Sequence, residues 1–233
     1  MKLHFRFFAL IGFLSIQSLF AQTWVTFTKT NPASPVLTLV TNTNQQVKFI
    51  AEIPGMFTRT VSEQGTAYQR LAVPDYPVMK TAGSPELPYV KVLLAVPECG
   101  NISINAAVIS SLTLNNYTVY PAPALQEITN PDGSKYLAEV FTKNQTIYNT
   151  NQSRPTVKAE IKGTGYIRDQ KVAEVWIYPL QYNPVLKRIT VNSRLQLTLT
   201  FNSPTSPVCS NTGIFSNVRS EERRVGKECR SRW

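Results

Sequence analysis

Histidine is all but missing from this chain of 233 residues, and its one copy is His4, near the N-terminus. That removes the commonest general base, the commonest zinc ligand and the middle member of Ser-His-Asp and Cys-His arrangements. Aspartate is nearly as scarce: Asp75, Asp132 and Asp169 are the only three, each among turn-forming neighbours. No two carboxylates stand at a spacing that forces them onto one face, so a glycosidase-type pair finds no support. The glycines are scattered singly and build no phosphate-cradling loop. Cysteine occurs three times, at Cys99, Cys209 and Cys229. With no histidine to lower its pKa or relay its proton, none of them reads as a nucleophile. The chain is expected to be non-catalytic and to need neither a metal nor a cofactor.

Amphipathic helices of ordinary length are absent too, while proline is abundant at 16 and charged residues make up only 16% of the chain. Short strands with many turns fit that mixture. The expected fold is all-β, a single antiparallel β-sandwich domain of jelly-roll-like type over residues 22–215. Residues 171–178 are rich in β-branched and aromatic types that suit a pleated surface. Tyr182-Asn183-Pro184 punctuates that run, because proline fixes φ and removes a ladder donor. Leu195, Leu197, Leu199 and Phe201 then alternate with polar residues, which places them on one face of a final strand. Asn192-Ser193 reads as a short hairpin turn before that strand. Gly163 and Gly165 read as turn glycines. Trp176, between Val175 and Ile177, reads as a core residue. Upstream, Gly83-Ser84-Pro85-Glu86-Leu87-Pro88 leads into an apolar run over 89–96 that Pro97 closes.

The two ends differ in kind from this middle. Lys2 and Arg6 precede a mostly apolar run over 7–20 that is short for a bilayer span and is interrupted by Ser15, Gln17 and Ser18. It reads as an export leader, residues 1–21, cut between Ala21 and Gln22. No later run is apolar and long enough for a transmembrane helix, so no stable membrane insertion is expected. At the other end, residues 216–233 abandon the strand pattern and hold six of the basic residues. They resemble translated vector or adapter sequence and are expected to be disordered. The formal net charge of +10 therefore overstates the domain's own charge. Between 22 and 218 there are 16 basic and 11 acidic residues, scattered singly, and nucleic acid is excluded as a partner.

The ordered set of segments resembles the N-terminal propeptide of gingipain-type (C25, caspase-like) cysteine peptidases. The Gly165-Tyr166-Ile167-Arg168 start, the Pro179 to Pro184 centre with its Tyr-Asn-Pro, and the alternating last strand carry the resemblance, together with the Gly83 to Pro88 turn. It covers about residues 45–205. The resemblance implies a prodomain that inhibits and helps to fold a caspase-like catalytic domain encoded in cis, until proteolysis removes it. It also implies export through the periplasm to the cell surface or the extracellular space, commonly by the type IX route, so that the export machinery is a second partner. For a peptidase that cuts after basic residues, a propeptide Lys or Arg would enter the specificity pocket. The candidates lie in 129–158, where Asn130-Pro131-Asp132-Gly133 is a strong turn signal. They are Lys135, Lys143 and Arg154, and Arg154, in a loop beside Pro155, is preferred.

In an oxidising compartment Cys99 and Cys209 can form a disulfide, with two unpaired thiols as the alternative. The rival to the prodomain reading is an exported adhesion or carbohydrate-binding sandwich. It would use aromatics such as Trp24, Trp176 and Tyr182 as an exposed sugar platform, whereas the prodomain reading expects these rings to be buried.

Overall fold

A computed structural model describes residues 22–202. Both the leader and the basic tail, with Ala21, Cys209 and Cys229, lie outside the described residues. Thirteen strands and one short helix follow in chain order: β1 (Thr23–Thr26), β2 (Val36–Asn42), β3 (Gln46–Glu52), β4 (Gly55–Glu63), β5 (Thr66–Ala72), β6 (Val90–Ala95), β7 (Asn101–Leu114), β8 (Ala124–Thr129), β9 (Lys135–Val140), α1 (Gln145–Tyr148), β10 (Ala159–Ile167), β11 (Gln170–Ile177), β12 (Leu180–Asn183) and β13 (Arg188–Asn202). All ladders between these strands are antiparallel. The all-β expectation holds.

β13 organises the largest sheet. Along one edge it pairs with β7; along the other it pairs first with β12, at 188–191, and then with β3, at 194–200. β2 completes this sheet beyond β3. Its alternating pattern works as read: Leu195, Leu197 and Leu199 are fully buried and Phe201 nearly so. They meet Phe49 and Ala51 of β3 and Val175 and Ile177 of β11 in one apolar core. Truncating any of these leucines to alanine would cost about 2–5 kcal/mol.

Asn192-Ser193 is not a turn. Both residues are buried inside β13, where its register against β7 shifts. Here the far-edge neighbour changes: Asn192 N–H donates to the Pro179 carbonyl at 2.7 Å, and the Ser193 carbonyl accepts from Ile53 N–H at 2.8 Å. The residue pair serves a handover between two partner strands, with the extra chain length taken up as a bulge. The turn itself lies at 184–187, after the Tyr-Asn-Pro, where Lys187 takes φ 47°. Gly163 and Gly165 likewise lie inside β10, beside a bulge against β11, and not in a turn. The turn reading does hold for Gly133, with φ 84°, between β8 and β9.

Three smaller sheets surround this framework: β1-β4-β5, β10-β11-β6 and the two-stranded β8-β9. β1 reaches the core through a close approach. A Cβ on Gly55 would lie 2.4 Å from the Trp24 ring and 2.5 Å from the Val25 carbonyl, so only glycine fits there.

Candidate functional site

Between β9 and β10 the chain stays polar and irregular, and two sequence signatures hold it in place. The first is the Gly83 to Pro88 turn. Gly83, at φ 77°, donates its N–H to the Ala122 carbonyl at 2.8 Å and accepts from Asn144 N–H at 3.0 Å. A Cβ there would stand 2.9 Å from Asn144 N. Asn144 in turn caps α1, its side-chain oxygen accepting from Ile147 N–H at 3.2 Å. α1 is anchored by Tyr148, whose buried hydroxyl donates to the Val119 carbonyl at 2.8 Å. Burial of that phenol raises its pKa well above the ordinary tyrosine value.

The second signature is the Tyr-Asn-Pro segment with β12. Arg154 and Tyr182 exchange both backbone hydrogen bonds, at 2.9 and 2.8 Å. Gln181 Nε2 donates to the Pro155 carbonyl at 2.7 Å, and Asn183 Nδ2 donates to Asn151 Oδ1 at 2.9 Å. Asn183 Oδ1 also accepts from Leu186 N–H, which fixes the turn into β13. Loop residues 151–155 thus lie on β12 almost as an added strand, and the Arg154–Pro155 peptide is cis. Residues read in the sequence as strand punctuation are the bed of this loop. Their partners are distant in sequence, so nothing local marks the role.

The three candidate cations sit in three environments and are not brought together. Lys135, on the β8–β9 ribbon, pairs with Glu127 at 2.7 Å. Lys143 lies over the rings of Tyr148 and Tyr68, its ammonium 4.9 and 5.7 Å from their centroids, which holds it against the protein. Arg154 is exposed, and its guanidinium has one long contact, Nη2 to Gln152 Oε1 at 3.4 Å. It stands at the rim of a shallow apolar depression of about 190 Å³ lined by Met79, Leu87, Ile147 and Pro155. Of the three, Arg154 alone combines a backbone fixed by a neighbouring strand with a charged group that neither an ion pair nor an aromatic ring holds.

Beside this segment an ion cluster ties the β8–β9 ribbon to the body. Arg70 of β5 lies 3.2 Å from Glu86 of the Gly83 turn and 3.7 Å from Glu139 of β9, with its guanidinium 4.2 Å above the Tyr120 ring. Its Nε is off the hydrogen-bonding line to Glu86. Burial accordingly outweighs the pairing, and the Glu86 carboxyl is pushed above the usual carboxylate range.

The aromatics do not make a sugar platform. Tyr182 is buried, with its hydroxyl donating to the Tyr117 carbonyl at 3.2 Å, as the prodomain reading expects. Trp24, half-buried, packs edge-on against Phe57, its partner in the β1–β4 ladder, on a sheet that does not hold Tyr182. Trp176 is not a core residue: Ala173, Val175 and Ile177 take the core face of β11, and the indole lies half-buried on the opposite face. A Tyr89 ring stacks on the indole at 4.1 Å and the Lys162 ammonium lies 4.7 Å from its centroid, so the chain's own residues already cover it. Trp176 Nε1 donates to Glu174 at 2.6 Å, and that bond with Lys91 lowers the Glu174 pKa. Among the described residues no cluster of three His, Cys, Asp or Glu side chains could hold a metal ion.

Cys99 is disulfide-bonded. Asn101, two residues on, pairs with Asn202 at the end of β13, so the chain leaves the described fold beside this cysteine.

Against known proteins, the sequence profile Propeptide_C25 matches residues 26–224. No curated protein matches the chain. Two solved structures from Porphyromonas gingivalis share the fold. A chain from the work on zymogenic latency of gingipain K superposes with a TM-score of 0.61 at 17% identity, covering 78% of this chain and 98% of that one. A chain from the complex of RgpB pro- and mature domains gives 0.64 at 20% identity, covering 83% and 97%.

Proposed function

This chain belongs to the C25 propeptide family, the non-catalytic region of gingipain-type zymogens, and on that premise we propose that it holds a secreted cysteine peptidase domain latent until proteolysis removes it. The leader over 1–21, cut before Gln22, delivers it to the export machinery, and the type IX route carries it onward. Among the described residues no helix is long and apolar enough to cross a membrane.

The single observation carrying the mechanism is the presentation of Arg154. Its backbone N–H and carbonyl are both bonded to Tyr182 of β12, while its side chain is exposed. Such a residue enters a specificity pocket with its backbone entropy already spent, the general route by which preordered loops gain affinity. A carboxylate at the pocket floor would accept the guanidinium in a two-pronged bond. The lacing by Gln181 and Asn183 keeps the loop on β12 and resists its being drawn into the geometry of a cleaved substrate. The same segment covers the cleft, so substrate and water are excluded together.

The test measures inhibition of the C25 catalytic domain from the same source by the purified chain. Arg154→Ala is expected to raise the inhibition constant by roughly 100-fold, in the range of a buried, paired anchor residue. Lys143→Ala and Lys135→Ala should change it by less than about threefold, the modest effect of rim charges. Equal inhibition by all three variants and the parent chain would remove the pocket-plug mechanism.

A further inference from the structure

β8 and β9 form a ribbon that no third strand joins. A lone two-stranded hairpin is marginal in water, and its usual remedy is to turn an apolar face onto the body. Here the more exposed face carries the leucines. In the antiparallel register Leu125 lies opposite Glu139 and Glu127 opposite Leu137, so these four side chains, with Thr129 and Lys135, share one face. All six are exposed. Leu125 and Leu137 are diagonal neighbours there, 67% and 68% exposed, the highest values among the large apolar residues described. On the opposite face Ala124, Ile128, Ala138 and Val140 are half-buried, while Gln126 and Tyr136 are exposed.

Charged groups on the leucine face have partners within the chain. Glu127 pairs with Lys135 at 2.7 Å, and Glu139 reaches Arg70 at 3.7 Å, a guanidinium that it shares with Glu86. A partner therefore meets two leucines beside one ion pair and one shared one, which suits an apolar strip and gives little hold to a polyanion. The ribbon is also continuous with the segment assigned to the cleft: β9 ends at Val140, and three residues later Lys143 begins the run through α1 to Arg154. From this we infer that the Leu125–Leu137 face is a second docking surface, which seats on an apolar strip of the peptidase domain beside its cleft. The inference rests on the prodomain reading. It adds an anchor that binds without touching the specificity pocket, so binding and inhibition become separable.

The experiment measures the dissociation constant of the chain for the C25 peptidase domain of the same source, together with hydrogen exchange of the complex. Leu125→Ser with Leu137→Ser is expected to weaken binding roughly 10- to 100-fold, the range for losing central apolar anchors. Tyr166→Ser, a similarly exposed residue on β10, should stay within about twofold of the parent chain. Hydrogen exchange tests the unsubstituted chain directly: amides of β8 and β9 should slow on complex formation. Unchanged affinity of the leucine variant, or unprotected β8 and β9 amides, would overturn the second surface while leaving inhibition through Arg154 intact. If the parent chain fails to bind the peptidase at all, the prodomain reading falls and takes this inference with it. Self-association that the leucine substitutions abolish, with peptidase affinity untouched, would make the ribbon a contact between copies and also overturn the inference.

Discussion

Glu86 keeps a carboxyl where burial and Arg70 act in opposite senses, and burial is the larger. A carboxyl whose folded pKa is raised binds its proton more tightly in the folded state, so its contribution is full at low pH. That contribution is lost as pH climbs from the unfolded value, 4.5, through the raised folded one. Glu86→Gln cannot ionise and escapes the loss. The melting temperature of the variant minus that of the parent chain is therefore expected to rise between about pH 4 and 7, measured by calorimetry at fixed ionic strength. A difference that falls over this range would mean that the Arg70 ion pair dominates. None of this was readable along the chain. Glu86 appears in the sequence only as the variable letter of a proline turn, and its partners lie in β5 and β9. The three candidate cations show the same limit. The family resemblance makes Lys135, Lys143 and Arg154 the candidates, but only Glu127 and the Tyr68 and Tyr148 rings reveal that two of them are already engaged.

At the scale of elements, the period-two pattern of β13 was legible because alternation depends only on which face is buried. Which neighbour pairs along each edge is a separate matter that alternation does not encode. Hence Asn192-Ser193 looked like a turn and is a handover from β12 to β3. Trp176 was misplaced for a related reason: flanking Val175 and Ile177 place a residue in a strand, and in a strand the neighbours of a core residue face the other way. β1 offers a sharp test of element-level packing, since its one ladder is with β4 and Gly55 lies under Trp24. Gly55→Ala should displace the indole and detach β1, because the obstruction is backbone and a rigid ring. The expected readout is a red shift of tryptophan emission with a loss of about 1–3 kcal/mol, typical of overpacking. Unchanged emission would mean that β4 moves instead.

For the molecule as a whole, the fold class followed from what was missing: no helical periodicity, few charges and many prolines leave little besides short strands. The arrangement of four sheets did not follow, since it depends on contacts between residues far apart in the chain. The disulfide belongs to this scale. From Asn202, opposite Asn101, seven residues lead to Cys209 and span at most about 25 Å, enough to return to Cys99. Peptide mapping without reduction is expected to find Cys99 linked to Cys209; a Cys99–Cys229 peptide would refute it.

The position of β13 bears on what a processing cut accomplishes. Among the described residues, β13 makes its ladders with β7, β12 and β3 over 188–202. On the proposed prodomain reading, a cut beyond Cys209 would sever the covalent tie while leaving these ladders, the Arg154 loop and the leucine ribbon intact. On that reading maturation would be a two-stage event, in which the cut changes a tethered inhibitor into a dissociable one. Activity would then return only when dilution or a second cut within the strands dislodges it.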